Sequence, residues 1–378
     1  MKWYIATTLG LLVAYAVQSL VRKLVIMGVF ETVYNQVPGP CRVIKVNGSE
    51  DIALLQTGQA FISSGLHDAG RGSVVHYIPP RDGNILLFDF NKPESNLKVI
   101  HLVSSSMFDP SQFNPHGLSH WQDPKSGKLW LFVVNHPVDG DAIEVFEYMP
   151  SEYALKHVRQ VKHPLISTPN DLLAISENSF YFTNDHYFHH HLLKTLEGYW
   201  QLPISSVGFH NGETNETQLV AWSLMFPNGI NMSPNGRFVY ITTSTGIQLL
   251  IYKRNKADNS LTQVQVIQMA DSCDNLFIHP ITGDLWSGCH ARIIDVIQHL
   301  YHNISHPSGS LVLRIRLGQE NLSGQGEPFP DYEIDQIYSN DGGQLKGSSI
   351  AVYHGRNMLV GTVVDNLLYC EVRSLDEE

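Results

Sequence analysis

The feature that most constrains this chain is a hairpin figure that keeps returning. The stretch NDLLAISENSFYFTND, from Asn170, opens on an Asn-Asp pair, runs apolar, turns at SENS and runs apolar again. It recurs as NGINMSPNGRFVYITTS from Asn228 and as DNLFIHPITGDLWSGCH from Asp274. Aligned on Asn170, Asn228 and Asn275, the returning run begins ten residues later, at Phe180, Phe238 and Leu285. Each unit is a strand, a tight turn rich in Ser, Pro, Asn and Gly, and a second strand. Three more copies fit: EDIALLQTGQAFISSG from Glu50, HGLSHWQDPKSGKLWLFVVNH from His116, and SSIAVYHGRNMLVGT from Ser348. Between them lie further short apolar runs such as GNILLFDF, AIEVFEYM, GIQLLIYKR and SLVLRIRL, enough for about four strands per unit. Six such units predict an all-β, six-bladed β-propeller, because a sandwich would show no such longer period.

If the first strand of each hairpin is the innermost of its blade, the residues that open the hairpins ring one mouth of the central channel. They are Glu50-Asp51, His116, Asn170-Asp171, Asn228, Asp274-Asn275 and Ser348-Ser349. Carboxylates and carboxamides gathered on the axis would repel one another and be badly desolvated, so they ask for a hard cation. Oxygen donors of this kind suit Ca²⁺, whereas zinc would want His or Cys in a tetrahedral array. The alternative for any single Asn or Asp is that it only caps a turn.

Helical alternatives are poor. Outside the N-terminus only ARIIDVIQHLYHNI, after Cys289, reads as an isolated helix, and FHHHL at 188–192 reads as an exposed loop rather than a transition-metal site. The net charge of −11, with no basic stripe, argues against nucleic acid as a partner.

Residues 1–30 stand apart from a propeller domain over 31–378. Trp3 to Leu20 is almost uninterrupted apolar sequence, with Lys2 before it and Arg22-Lys23 after it. This is a secretory-route segment, and we expect an uncleaved signal anchor, with cleavage near Ala14-Tyr15-Ala16 as the alternative. The propeller is then expected on the lumenal or extracellular side, membrane-anchored in the endoplasmic reticulum or plasma membrane, or secreted. Sequons occur at Asn47, Asn215, Asn231, Asn303 and Asn321; Asn303 and Asn321 are the expected glycosylation sites, while Asn231 lies within a repeated strand. Of the four cysteines, Cys41 and Cys370 sit at the two extremes, where a bridge would close the longest loop and stabilise most. Cys273 and Cys289 are expected as buried free thiols.

The linked segments GPCRVIKVNGSEDI, AFISSGL, FNPHGLS, LFVVNHP, FYFTNDHYF, NGINMSPNGRFVYI, TGDLWSGCH and GTVVDNLLYCEV together resemble the paraoxonase/arylesterase family, in order, from about Pro40 to Val372. The resemblance implies lactonase and arylesterase activity on a small-molecule lactone or ester, two calcium ions in the channel, a retained hydrophobic N-terminus that meets a membrane or lipoprotein surface, and a bridge between the first and last cysteines. It implies a catalytic calcium held by Glu50, Asn170, Asn228, Asp274 and Asn275. A deeper, structural calcium would be held by Asp51, Asp171 and a backbone carbonyl near Leu118. The family's histidine dyad falls on His116 and His136, with His186 and His290 at further positions around the pocket. Departures occur at His67-Asp68, where the family commonly has a basic and an aromatic residue, and at Ser349, where it has Thr.

In such a site the cation polarises the ester carbonyl and holds the developing oxyanion, while His116 activates water and His136 orients it or relays the proton. Asp274 or Glu50 is the alternative base. No GxSxG nucleophile elbow is present. The rival reading is a non-catalytic, membrane-tethered propeller that acts as a chaperone or assembly factor for membrane-protein partners.

Overall fold

The computed structural model describes residues 2–67, 82–321 and 326–373. Its strands form six sheets of four or five strands, arranged as the blades of a propeller and antiparallel except where His101–Val103 pairs parallel to Ala154–Val161 at the outer edge of the second blade. The six predicted hairpins are the first two strands of the blades: Ile52–Leu54 with Gln59–Ser64, Pro115–Gln122 with Leu129–Asn135, and Pro169–Ala174 with Phe180–Asn184 open blades 1 to 3. Pro227–Met232 with Phe238–Thr243, Ser272–Ile278 with Leu285–His290, and Ser348–His354 with Asn357–Thr362 open blades 4 to 6. The first strands contact one another around the ring, so they are the innermost. The turns owe their tightness to left-handed residues, with Gly236 at φ 68° and Gly283 at φ 76° where any Cβ would be strained.

The core lies between blades rather than within one. Phe61 of blade 1 meets Tyr148 of blade 2 edge to face at 4.9 Å, and Trp286 of blade 5 stacks on Tyr353 of blade 6 at 4.7 Å. The ring is closed by sequence from both ends. Cys41–Ile44 is the outermost strand of blade 6 and pairs with Leu367–Glu371, Cys41 standing opposite Cys370. The predicted Cys41–Cys370 disulfide is present and locks that closure.

The expectation for the other two cysteines is corrected: Cys273 and Cys289 form a second disulfide. They are a cross-strand pair with Cα atoms 4.0 Å apart, and two buried thiols in that register are placed to bridge. With both bridges made, no cysteine is free.

Three helices accompany the blades: α1 (Lys2–Ile26), α2 (His191–Trp200) and α3 (Ile293–Tyr301). α3 is the helix expected after Cys289. α2 corrects the reading of 188–192 as loop, since His191 and Leu192 begin it. α2 packs on the body through buried Lys194 and Glu197, whose carboxylate accepts the Tyr187 and Phe188 amides and the Ser205 hydroxyl. Among the described residues no helix is long and apolar enough to cross a membrane. The C-terminal end of α1 meets α2 and α3: Lys23 Nζ sits 3.6 Å from the Trp200 ring centroid, and just beyond the helix the Met27 carbonyl accepts from the Ile294 amide.

Candidate active site and metal centre

The channel mouth is built by one backbone device repeated around the ring. In blades 2 to 6 the pairing of the innermost strand skips, from Pro115 to Leu118, Pro169 to Leu172, Pro227 to Ile230, Cys273 to Leu276 and Ser348 to Ile350. The skipped residues are His116-Gly117, Asn170-Asp171, Asn228-Gly229, Asp274-Asn275 and Ser349. A bulge re-aims side chains that a regular ladder would send to alternate faces, and here the bulges gather these residues at the channel. Glycine is required at two of them. A Cβ on Gly117 would lie 2.5 Å from the Asn170 carbonyl oxygen, and one on Gly229 would lie 2.7 Å from Asn275 Cα, so each glycine lets the next blade's bulge close in.

Hydroxyl groups on neighbouring strands tie these bulges down. Thr183 donates to the Asn228 carbonyl at 2.8 Å, Ser287 to that of Asn275 at 2.8 Å, and Ser349 to that of Glu50 at 2.6 Å. Ser349, the departure from the family's Thr, is fully buried in this seam and does not line the cavity. Sequence reasoning missed Thr183 and Ser287 because a strand Ser or Thr carries no signal of its own.

Glu50, Asn170, Asn228, Asp274 and Asn275 are all buried and face the floor of one cavity or its immediate edge. Asn275 Nδ2 donates to Glu50 Oε1 at 2.7 Å across the channel. Each of the five keeps one oxygen with no hydrogen-bond partner: Glu50 Oε2, Asn170 Oδ1, Asn228 Oδ1, Asp274 Oδ1 and Asn275 Oδ1. Five orphaned buried oxygens are far costlier than five caps would be, and together they match the donor set of a hard divalent cation. Among the described residues no three His, Cys, Asp or Glu side chains group as a metal site; this set is three carboxamides with two carboxylates.

Beside this cluster, Asp51 and Asp171 lie close enough that the charge of Asp51 acts on Asp171. Asp51 accepts from the amides of Ile52 (2.8 Å) and Leu118 (2.6 Å), and Asp171 from those of Leu172 (2.7 Å) and Ile230 (2.8 Å). Burial, reinforced by Glu50, pushes Asp51 up to about 8; burial and the charge of Asp51 raise Asp171 well above the carboxylate range. Leu118 is thus beside this pair, through its amide.

The two dyad histidines meet. His116 Nδ1 is 3.0 Å from His136 Nε2, and His136 Nδ1 is 2.8 Å from Asp141 Oδ1. Asp141 was missed in the sequence, although it follows His136 by five residues in NHPVDGD. His116 Nε2 faces Glu50 Oε1 at 3.4 Å. Burial alone would lower His116, but Glu50, with Asp185 and Asp274 behind it, outweighs burial and raises it. His290 bonds Asp274 Oδ2 at 3.2 Å, and His186 lies 2.8 Å from Asp185 Oδ1 while its ring meets Phe226 edge-on. Both line the cavity. His67 lies outside that lining, its Nδ1 against the Gly65 carbonyl, and Asp68 falls outside the described residues.

The cavity measures about 430 Å³. Its floor is Glu50, His116, Asn170, Asn228 and Asp274, and its walls are mainly apolar: Ile26 and Met27 at the end of α1, Phe226, and Ile293, Ile297 and Leu300 of α3. An apolar funnel over a few convergent polar groups is the form of a small-molecule site.

Of the expected glycosylation positions, Asn303 is exposed after α3, whereas Asn321 is half-buried and the rest of its sequon lies outside the described residues. Asn231, on the innermost strand of blade 4, donates to the Leu276 carbonyl on that of blade 5.

This mouth belongs to a propeller enzyme of the carboxylic-ester hydrolase class, an esterase or lactonase. The profile of the Arylesterase family matches residues 35–372. The chain is 37% identical over 334 residues to Serum paraoxonase/arylesterase 2 of Gallus gallus and 36% identical over 335 residues to Serum paraoxonase/arylesterase 1 of Homo sapiens, covering 88% of this chain and 88% of each relative. It belongs to the arylesterase family. Among solved structures, a luciferin-regenerating enzyme aligns at a TM-score of 0.51 with 10% identity, over 89% of this chain and 96% of that one, a likeness of fold alone.

Proposed function

We propose that the protein hydrolyses lactones and aryl esters in a calcium-dependent reaction at the channel mouth. The observation that carries this is the convergence of five orphaned buried oxygens, from Glu50, Asn170, Asn228, Asp274 and Asn275, beneath an apolar cavity that a small ester can enter. Calcium bound there supplies Lewis-acid polarisation of the carbonyl and charge for the developing oxyanion.

The chain's own residues do the rest. Asp141 can only accept, so His136 carries its proton on Nδ1; its Nε2 then accepts from His116 Nδ1, which leaves His116 Nε2 as the nitrogen that faces Glu50 and the cavity and exchanges the proton there. That makes His116 the general base, His136 the relay and Asp141 the group that orients it. The cavity walls hold the apolar part of the ester and exclude bulk water. In this reading Asp51 and Asp171, with a carbonyl near Leu118, hold a second, structural calcium in the shaft; paired carboxylates bonded only to backbone amides support it.

Two disulfides favour an oxidising compartment, lumenal or extracellular. Exposed apolar side chains on α1, including Leu11, Tyr15 and Leu20, and on α2, including Leu192 and Trp200, support contact with a membrane or lipoprotein surface. The test is turnover of phenyl acetate and a series of aliphatic lactones by full-length protein, with calcium and after chelation. Calcium-dependent turnover is expected; calcium binding without turnover would favour the chaperone reading.

A further inference from the structure

Away from the channel, on the outer part of blade 2, Ser105, His157 and Glu144 are joined in a line that the proposed reaction does not use. Ser105 Oγ is 2.7 Å from His157 Nδ1, and His157 Nε2 is 2.9 Å from Glu144 Oε2. None of the three lines the cavity. Glu144 and His157 are wholly buried in their side chains, on strands Ala142–Met149 and Ala154–Val161, while Ser105 is partly exposed at the start of a tight turn that closes at Phe108.

The hydrogen bonds decide the proton positions. Glu144 Oε1 accepts from two obligate donors, Asn135 Nδ2 at 3.0 Å and Gln160 Nε2 at 2.9 Å, and as a carboxylate its Oε2 can only accept from His157. His157 must then donate through Nε2, which leaves the Nδ1 lone pair to accept the hydroxyl proton of Ser105. The order acid, imidazole, hydroxyl is that of a nucleophilic triad, with the two ring nitrogens exchanging their usual roles. The ring is held in place: Phe108 stacks on it at 4.9 Å and Phe146 meets it edge-on at 5.3 Å. Ser105 Oγ also accepts the Met107 amide at 3.1 Å and keeps one lone pair for an incoming electrophile. A buried carboxylate with only neutral hydrogen-bond partners is costly, and its effect here is to stabilise positive charge on the imidazole that faces a partly exposed serine.

We propose that Ser105 is an activated nucleophile, a second site on this protein that takes an acyl group from reactive aryl esters and a phosphyl group from fluorophosphonates. In the phosphyl case the Ser105 Oγ–P bond forms, the P–F bond breaks and fluoride leaves, and the hydroxyl proton passes to His157 Nδ1, giving an imidazolium paired with Glu144. With an aryl ester the Oγ–C bond forms, the acyl C–O(aryl) bond breaks, and the hydroxyl proton passes by way of His157 Nδ1 to the departing aryloxide, which leaves as the phenol. The assignment is a covalent modification site, separate from the channel.

The test is to treat the full-length, calcium-loaded protein with a small alkyl fluorophosphonate and map the adduct by peptide mass spectrometry. The same loop carries exposed Ser104 and Ser106 as internal controls. Modification of Ser105 is expected to exceed that of either neighbour by about 100-fold, the contribution of a positioned general base. Ser105→Ala should lose the adduct and keep channel hydrolysis of phenyl acetate, and His157→Gln should slow modification by a similar factor. No adduct on Ser105 under conditions that fully modify a reference serine hydrolase overturns the proposal, as does modification spread evenly over Ser104, Ser105 and Ser106. The second outcome is read in the wild-type chain and so does not depend on whether His157→Gln folds.

Discussion

His116 and His136 share a hydrogen bond of 3.0 Å, one from the bulge of the innermost strand of blade 2 and the other from the end of the strand beside it. His136 is in turn held by Asp141 at 2.8 Å. His116→Gln is expected to lower kcat/KM for lactones by roughly 10²- to 10⁴-fold, with calcium-dependent stability unchanged. Asp141→Asn offers a donor where His136 needs an acceptor, and kcat should fall about tenfold or more. Steady-state kinetics beside melting curves check both; His116→Gln with wild-type turnover would mean that Glu50 or Asp274 is the base.

Asn228→Ala and Asp274→Ala each remove a donor from the oxygen cluster. Both variants should lose ester hydrolysis and bind calcium at least about tenfold more weakly by titration calorimetry. Chelation of the wild type should lower its melting temperature, since at 100 times Kd a bound ligand stabilises by about 2.7 kcal/mol. Wild-type calcium affinity in either variant would place the ion elsewhere.

The two disulfides should contribute unequally. The Cys41–Cys370 bridge spans 329 residues and the Cys273–Cys289 bridge 16. Loop-closure entropy gives about 6 kcal/mol for the first and about 3 kcal/mol for the second. The double serine variant at 273 and 289 has a further expected effect, because that bridge flanks the bulge that presents Asp274 and Asn275. Its calcium affinity should fall while the variant at 41 and 370 retains its own; calorimetry on both settles it.

His299 is 2% exposed, with both ring nitrogens lacking hydrogen-bond partners. Burial lowers it to about 4 from 6.5. The sign follows from linkage: its neutral form is the one the fold accommodates, so stability is full above pH 6.5 and is lost as pH falls toward 4, by about 3 kcal/mol for this group. His299→Leu should flatten that part of the pH–stability curve and raise stability at pH 7 by about 1 kcal/mol. Urea unfolding at pH 7 and pH 5 measures it; His120 and His210, which burial also lowers to about 4, leave a residual slope.

Much of the fold was legible because a hairpin is a local object. Turn residues and the ten-residue spacing from Asn170, Asn228 and Asn275 specify strand, turn and strand without knowledge of anything distant. The five residues whose buried oxygens lack partners were legible for the same reason, as the opening residues of those hairpins. Asp141 and α2 were not. Asp141 carries no pattern, and α2 is held by the long-range hydrogen bonds of Glu197 rather than by strong periodicity. Cys273 and Cys289 were misread because apolar surroundings are common to free thiols and bridges alike, and only the register of their two strands brings them opposite each other.

The sequence by itself determined the repeat, its number and the residue types at each blade's inner edge, since these follow from chain-local preferences for turns and from period-two alternation. The tertiary structure alone decided which oxygens remain without partners, which histidine orients which, and that Ser105, His157 and Glu144 lie in one line. Those are outcomes of bulges, strand register and blade-to-blade packing, where a shift of one residue would turn the same side chains to the opposite face.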